Sequence, residues 1–173
     1  METIEEVWVT VPGFQERYVV SNLGRVMNVR SERLIKPQLT PQGITYVPLY
    51  SDTGHETRSI KVLVARAFVE GETNIFDTPI NVDGIKSNNA ASNLMWRPRW
   101  FAVKYSRQFL TKSDKEDEGP VYEDAAELRF ETVREVALTY GLLFRDVYRS
   151  TYSETPVFPT QQIFRIPKAI HVR

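Results

Sequence analysis

The chain has 173 residues, 42% hydrophobic and 25% charged, a globular composition that excludes wholesale disorder. It has no Cys, which excludes disulfides, a thiol nucleophile and Cys-ligated zinc, and only two His, His55 and His171, which leaves little imidazole for catalysis. The net charge of zero divides into −1 over 1–60, +4 over 61–113, −6 over 114–128 and +3 over 129–173, so a basic middle is followed by an acidic stretch and a mildly basic end. No apolar run approaches the roughly 18 residues of a membrane helix, and the acidic start METIEEVWVTVPGF is unlike a secretory signal. These features lead us to expect a soluble, cytoplasmic protein with no membrane partner.

In chain order, residues 7–35 alternate short apolar runs with turn residues. Trp8, Val9 and Val11 lead into Pro12-Gly13. Tyr18-Val19-Val20 leads into Ser21-Asn22 and Gly24, where Asn22 and Gly24 are expected to take positive φ. Tyr46 to Tyr50 reads as a strand closed by Asp52-Thr53-Gly54, which places His55 in a hairpin turn. Ile60 to Phe68 carries Leu63, Val64, Ala67 and Phe68 at helical spacing. Pro79-Ile80-Asn81-Val82 reads as a strand stopped by Asp83-Gly84. Ser87-Asn88-Asn89 then suits the cap of a helix running through Asn93-Leu94-Met95-Trp96.

The window 84–113 holds Lys86, Arg97, Arg99, Lys104, Arg107 and Lys112 without one acid, with Trp96, Trp100, Phe101, Tyr105 and Phe109 interleaved. Cations suit phosphate and rings suit stacking, so this strip fits nucleic acid. It fits equally an amphipathic helix whose rings face the core. Asp114 to Pro120 is poor in apolar residues and reads as a linker. Beyond it, Val121-Tyr122 reads as a strand, and Thr132 caps a helix with Glu135 completing a capping box. Gly141 ends that helix, Leu142–Arg149 supplies a second one, and Gln162–Ile166 a closing strand. Helix, glycine turn and helix match a helix-turn-helix unit, or a plain helical hairpin.

Three stretches resemble, in order, the modules of phage and intron HNH homing endonucleases, over about 140 of the 173 residues. Trp8, Val11-Pro12-Gly13-Phe14 and Tyr18 to Val26 are similar to the nuclease-associated modular domain, a small β-element that helps clasp DNA. Ile60 to Phe68 and then Pro79 to Trp96 are similar to the HNH core, with the register unbroken from Asp83 to Trp96. Phe130 to Leu142 and Ile163 to Ile166 are similar to the C-terminal modular domain, which implies a helix-turn-helix reading the major groove. On that helix Arg145 and Arg149 stand i, i+4 on one face, a spacing suited to guanine or phosphate contact, or simply to a helix C-terminus.

The departures from the HNH pattern fall on its chemistry. The resemblance requires a His general base, and metal ligands beside and downstream of it. The alignment puts Asn81 at the base position and Ile80 at the first ligand position, and Lys61 replaces an upstream His. Asn93, and less directly Asp83, remain as candidate ligands. His55 and His171 lack the local spacing. The expected fold is therefore α+β and modular. It comprises an N-terminal β module (1–56), a degenerate zinc-free ββα HNH-like core with a basic extension (57–113), an acidic linker (114–120) and a helix-turn-helix module (121–173). The expected function is double-stranded DNA binding by a phage-encoded homing-endonuclease descendant that has lost cleavage, with no cofactor. Arg25, Lys86, Arg97, Arg99, Lys104, Arg107, Arg145 and Arg149 are the candidate DNA contacts. Two alternatives stay open: an active nickase using Mg²⁺ or Mn²⁺, and a virion or polymerase accessory protein that binds a protein partner through the acidic 114–128 segment.

Overall fold

A computed structural model describes residues 5–14 and 16–167, in two units divided between Ala102 and Val103. The first unit opens with an antiparallel sheet of β1 (Trp8–Thr10), β2 (Tyr18–Ser21), β3 (Val26–Asn28) and β4 (Arg33–Leu34) in that order. A second sheet holds β5 (Gln38–Leu39), β6 (Thr45–Ser51) and β7 (Gly54–Ser59), and runs into helix α1 (Ile60–Phe68). A hairpin of β8 (Thr78–Asn81) and β9 (Leu94–Arg97) follows, with Ile80 opposite Met95 and Asn81 opposite Leu94.

One apolar core joins all of these. Val11, Phe14, Tyr18, Val20 and Val26 from the first sheet meet Val47 and Leu49 of β6, Ile60 and Val64 of α1, and Leu94 and Trp96 of β9. The boundary expected near residue 56 is therefore bridged by shared burial, because neither β-element has enough apolar surface to close a core alone. Two polar bonds fasten the layers: Tyr50 N–H donates to the Tyr18 hydroxyl at 3.1 Å, and Trp96 Nε1 donates to the Val69 carbonyl at 2.9 Å.

The turn at 21–25 differs from expectation in one residue. Gly24 has φ +84°, but Asn22 is not among the positive-φ residues. The Asn22 amide instead ties down the incoming chain, accepting from Val7 N at 2.9 Å and donating to the Glu5 carbonyl at 3.0 Å. Gly24 is needed on a second count, since a Cβ there would stand 3.2 Å from Cβ of Asn89. Ala91 N donates to the Asn22 carbonyl at 2.8 Å, so this turn seats directly on the hairpin loop.

The helix expected through Asn93 to Trp96 is a strand. A single 3₁₀ turn at Ala91–Asn93 leads into β9, where Leu94 and Trp96 are buried and Met95 between them is half-buried. That alternation has the period of a strand, and pairing with β8 satisfies the backbone. The helix begins later, after Pro98, as α2 (Arg99–Gln108).

In the second unit β10 (Val121–Glu123) lies between β11 (Arg129–Phe130) and β12 (Phe164–Arg165). Helices α3 (Val133–Tyr140) and α4 (Phe144–Ser153) pack Val133, Val136, Ala137, Leu142, Phe144 and Val147 against Val121 and Phe164. Gly141 caps α3 in the left-handed region at φ 60°. The second helix starts at Phe144 rather than Leu142, because Leu142 is drawn wholly into the core as part of the turn. The Thr132 hydroxyl accepts from Glu135 N at 3.1 Å, but the Glu135 carboxylate reaches past it to Glu131 N at 2.6 Å, so the capping box is displaced by one residue.

The segment expected as a linker is folded. Asp114–Asp117 forms a 3₁₀ turn closed by its own capping box between Ser113 and Glu116. Glu116 is only 3% exposed and pairs with Arg134, whose guanidinium lies 5.2 Å from the Phe144 ring centre. A buried carboxylate holds its place only with such a partner, and this pairing converts a charged stretch into structure.

Candidate functional site

The β8–β9 hairpin is the place where the sequence points to chemistry. Ile80 is 3% exposed and Asn81 6%, both turned into the protein. Asn81 Nδ2 donates to the Asn88 carbonyl at 2.7 Å and to Asn89 Oδ1 at 3.3 Å, and Asn89 in turn donates to the Thr45 hydroxyl on β6 at 2.5 Å. The amide at the base position is thus a structural link between the hairpin loop and the neighbouring sheet.

Asp83 and Asn93 are brought together and spent on each other. Asp83 N donates to Asn93 Oδ1 at 3.0 Å, while Asn93 Nδ2 donates to Asp83 Oδ1 at 2.9 Å and to the Asn88 carbonyl at 2.9 Å. The same carboxylate accepts from Ile85 N at 2.8 Å and from Asn88 Nδ2 at 2.7 Å. Gly84, at φ +76°, closes the turn by donating its N–H to the Asn81 carbonyl at 3.0 Å.

A divalent cation of this class takes oxygen ligands. Ile80 offers none, and the oxygens of Asp83 and Asn93 already accept bonds from within the turn. Among the described residues no group of three His, Cys, Asp or Glu stands close enough to hold a metal ion. The donor set does not fit a catalytic Mg²⁺ or Mn²⁺. His55 lies in β7 opposite Tyr50, with ring centres 5.6 Å apart, and His171 lies outside the described residues.

The candidate DNA contacts fall into distinct environments. Arg97 is buried: it donates to the Trp96 carbonyl at 2.8 Å and lies 5.9 Å from the Phe101 ring centre. Its place in the core hairpin is a packing role. Arg25 is exposed but pairs with Glu6, through Nε at 2.7 Å, and lies over Trp8. Arg99 and Trp100 are exposed in the first turn of α2, and Lys104 and Arg107 further along it, while Phe101 and Tyr105 are buried. Both readings of the basic strip are therefore realised on different faces of one helix. On α4, Arg145 and Arg149 are exposed, opposite the buried Phe144, Val147 and Ser150.

Lys86 is half-buried in the hairpin loop, and Lys61 is half-buried in the first turn of α1. Burial lowers the Lys61 pKa, and repulsion from Lys86 lowers it further.

The acidic segment is largely consumed inside its own unit. Glu116 pairs with Arg134, Asp117 with Lys112 at 2.9 Å, Glu118 with Lys115 at 3.2 Å, and Asp124 with Arg165 at 2.9 Å. Glu123 is 3% exposed and accepts from Ala126 N at 3.2 Å. Tyr152 lies within hydrogen-bonding distance of the Glu118 carboxylate at 3.1 Å and of the Tyr148 hydroxyl at 3.0 Å, and its pKa is pushed up to about 12, chiefly by hydrogen bonding with Tyr148.

Residues 6–50 match the NUMOD4 motif. The chain is 33% identical over 91 residues to the DNA endonuclease I-HmuI of Bacillus phage SP01, a match covering 51% of each protein. It is 30% identical over 79 residues to an uncharacterized HNH endonuclease of Acanthamoeba polyphaga mimivirus, covering 46% of this chain and 24% of that one. The chain thus spans about half or less of the curated relatives it matches. Its fold matches a structure of I-HmuI, described as an HNH homing endonuclease that binds and cleaves DNA. That match has a TM-score of 0.55 at 22% identity and covers 93% of this chain and 98% of that one.

Proposed function

We propose that this relative of the HNH homing endonucleases is a phage-encoded protein that binds double-stranded DNA and no longer cleaves it, acting in the cytoplasm of the host cell. The observation that carries the reading is the hairpin: Ile80 and Asn81 are buried, and Asp83 and Asn93 are bonded to each other. An amide cannot serve as a general base at neutral pH, and a hydrocarbon cannot ligate a cation. What the chain keeps is a scaffold for holding DNA. Exposed cations stand at Arg99, Lys104 and Arg107 on α2, and at Arg145 and Arg149 on α4. Arg suits bidentate contact with guanine or phosphate, and the α3–α4 pair is proposed as a helix-turn-helix that presents Arg145 to base edges.

The test combines a gel shift on long duplex DNA with a supercoiled-plasmid nicking assay in Mg²⁺ and in Mn²⁺. Binding without nicking is the expected result. Metal-dependent nicking abolished by Asn93→Ala would overturn the loss of cleavage. Ile80→Asp combined with Asn81→His should bring back measurable metal-dependent nicking. The same variant should be less stable than the wild type without metal, because it buries a carboxylate with no partner.

A further inference from the structure

We propose that this chain associates with a second copy of itself through β7, the two strands pairing antiparallel edge to edge across a two-fold axis at Thr57. The inference is independent of the DNA-binding reading, because it uses backbone groups and charges to which that reading gives no part.

Strand β7 is the longest open edge among the described sheets. It has six residues, whereas the other edge strands have four at most. On one side it pairs with β6, and among the described strands none pairs with the other side. Gly54 to Arg58 are exposed and Ser59 is half-buried. Native edges are usually guarded by a proline, a bulge or a surplus of like charge. In β7 there is no proline, and the register with β6 runs unbroken from Ser51–Gly54 to Tyr46–Ser59. Its one acid, Glu56, is matched by its one arginine, Arg58.

The register decides which backbone groups are free. In an antiparallel ladder, residue pairs that exchange two bonds alternate with pairs that exchange none. Ser51 and Gly54 flank the two-residue turn Asp52-Thr53, which is the place of a bonded pair. Leu49–Glu56 and Val47–Arg58 then carry the next bonds, and Pro48, with no N–H to give, falls in an unbonded position opposite Thr57. The N–H and C=O of His55 and Thr57, and the N–H of Ser59, therefore point along the open edge. The Ser59 carbonyl is engaged as the N-cap acceptor of α1.

A two-fold axis at Thr57 matches these groups to one another. Thr57 exchanges both bonds with Thr57 of the second copy, and each Ser59 N–H meets the His55 carbonyl across the axis. The same register sets Glu56 opposite Arg58 of the second copy, and Arg58 opposite its Glu56. Within one chain Glu56 and Arg58 already pair along the strand, so association exchanges one partner for another and leaves no lone charge. Opposite charges facing each other across a ladder stabilise it, and like charges destabilise it. A contact one strand long is small beside a standard interface, so the dimer is weak and depends on concentration.

The experiment is sedimentation equilibrium of the full chain without DNA, from about 1 μM to 1 mM, the range of weak association. The wild type should rise toward twice the monomer mass. Glu56→Arg and Arg58→Glu each set like charges opposite one another, and each alone should raise the dissociation constant by about tenfold. An equimolar mixture of these two variants should associate as the wild type does, because each supplies the charge that the other lacks. Only folded strands can complement each other in this way, so misfolding of a variant does not imitate the result. Thr57→Pro removes an N–H that β6 does not use and should abolish the dimer. Its urea midpoint by tryptophan fluorescence checks that the first unit still folds, and if it does not, the mixture decides. A wild type that stays monomeric over the whole range overturns the proposal. A dimer that survives Thr57→Pro, or a mixture no tighter than its components, places the contact off this edge and overturns it equally.

Discussion

Asn93→Ala separates a ligand residue from a structural one. The Asn93 amide makes three bonds that close the hairpin turn: it accepts from Asp83 N and donates to the Asp83 carboxylate and to the Asn88 carbonyl. A neutral hydrogen bond contributes about 0.5–1.5 kcal/mol net, and one to a charged group about 1.5–3 kcal/mol. Full loss would total about 2.5–6 kcal/mol, but the residue is only half-buried and water can replace part of it. We expect a destabilisation of about 2–3 kcal/mol, hence a urea midpoint lower by about 1–2 M for a unit of this size. All three Trp residues, Trp8, Trp96 and Trp100, lie in the first unit, so intrinsic tryptophan fluorescence reports that unit alone. The loss should be the same with and without Mg²⁺. A variant within about 0.5 kcal/mol of wild type refutes the structural role, since that is the range of unremarkable surface changes. So does a Mg²⁺-dependent stabilisation of the wild type that the variant lacks.

Other outcomes follow from the same geometry. Lys104→Ala with Arg107→Ala should lower the salt slope of DNA binding by about 1.8, whereas Arg97→Ala should leave the slope unchanged and destabilise the first unit. Ser150→Ala in the second unit should cost about 1–3 kcal/mol by circular dichroism, because the buried hydroxyl donates to the Thr155 carbonyl at 2.7 Å and accepts from Phe164 N at 3.1 Å. Tyr152 has a raised pKa, so the neutral phenol is the form the fold favours. Its contribution is present below about pH 10 and lost as pH rises toward about 12, and Tyr152→Phe should flatten that alkaline decline in urea midpoint.

The family resemblance, and the departures from its pattern at Ile80 and Asn81, were legible in the chain itself. Local order carries that information: Tyr18 to Val26 and Asp83 to Trp96 keep their spacing without gaps, and a single departure from the family pattern, such as Asn81 where the resemblance implies a His, is visible at one position. Helix α1 and the Gly141 stop were equally local, set by apolar period and by the residue type that takes positive φ most readily. What the tertiary structure decided was the use of each polar group. Arg97 and Arg99 are two residues apart and identical in chemistry, yet one is buried against Phe101 and the other exposed, because one ends a strand and the other begins a helix. The acidic stretch read as a linker because composition counts charges without counting partners, and Arg134 and Arg165 lie far away in sequence. Asn93 to Trp96 read as a helix because the residues that make it a strand are those of β8, more than ten positions earlier.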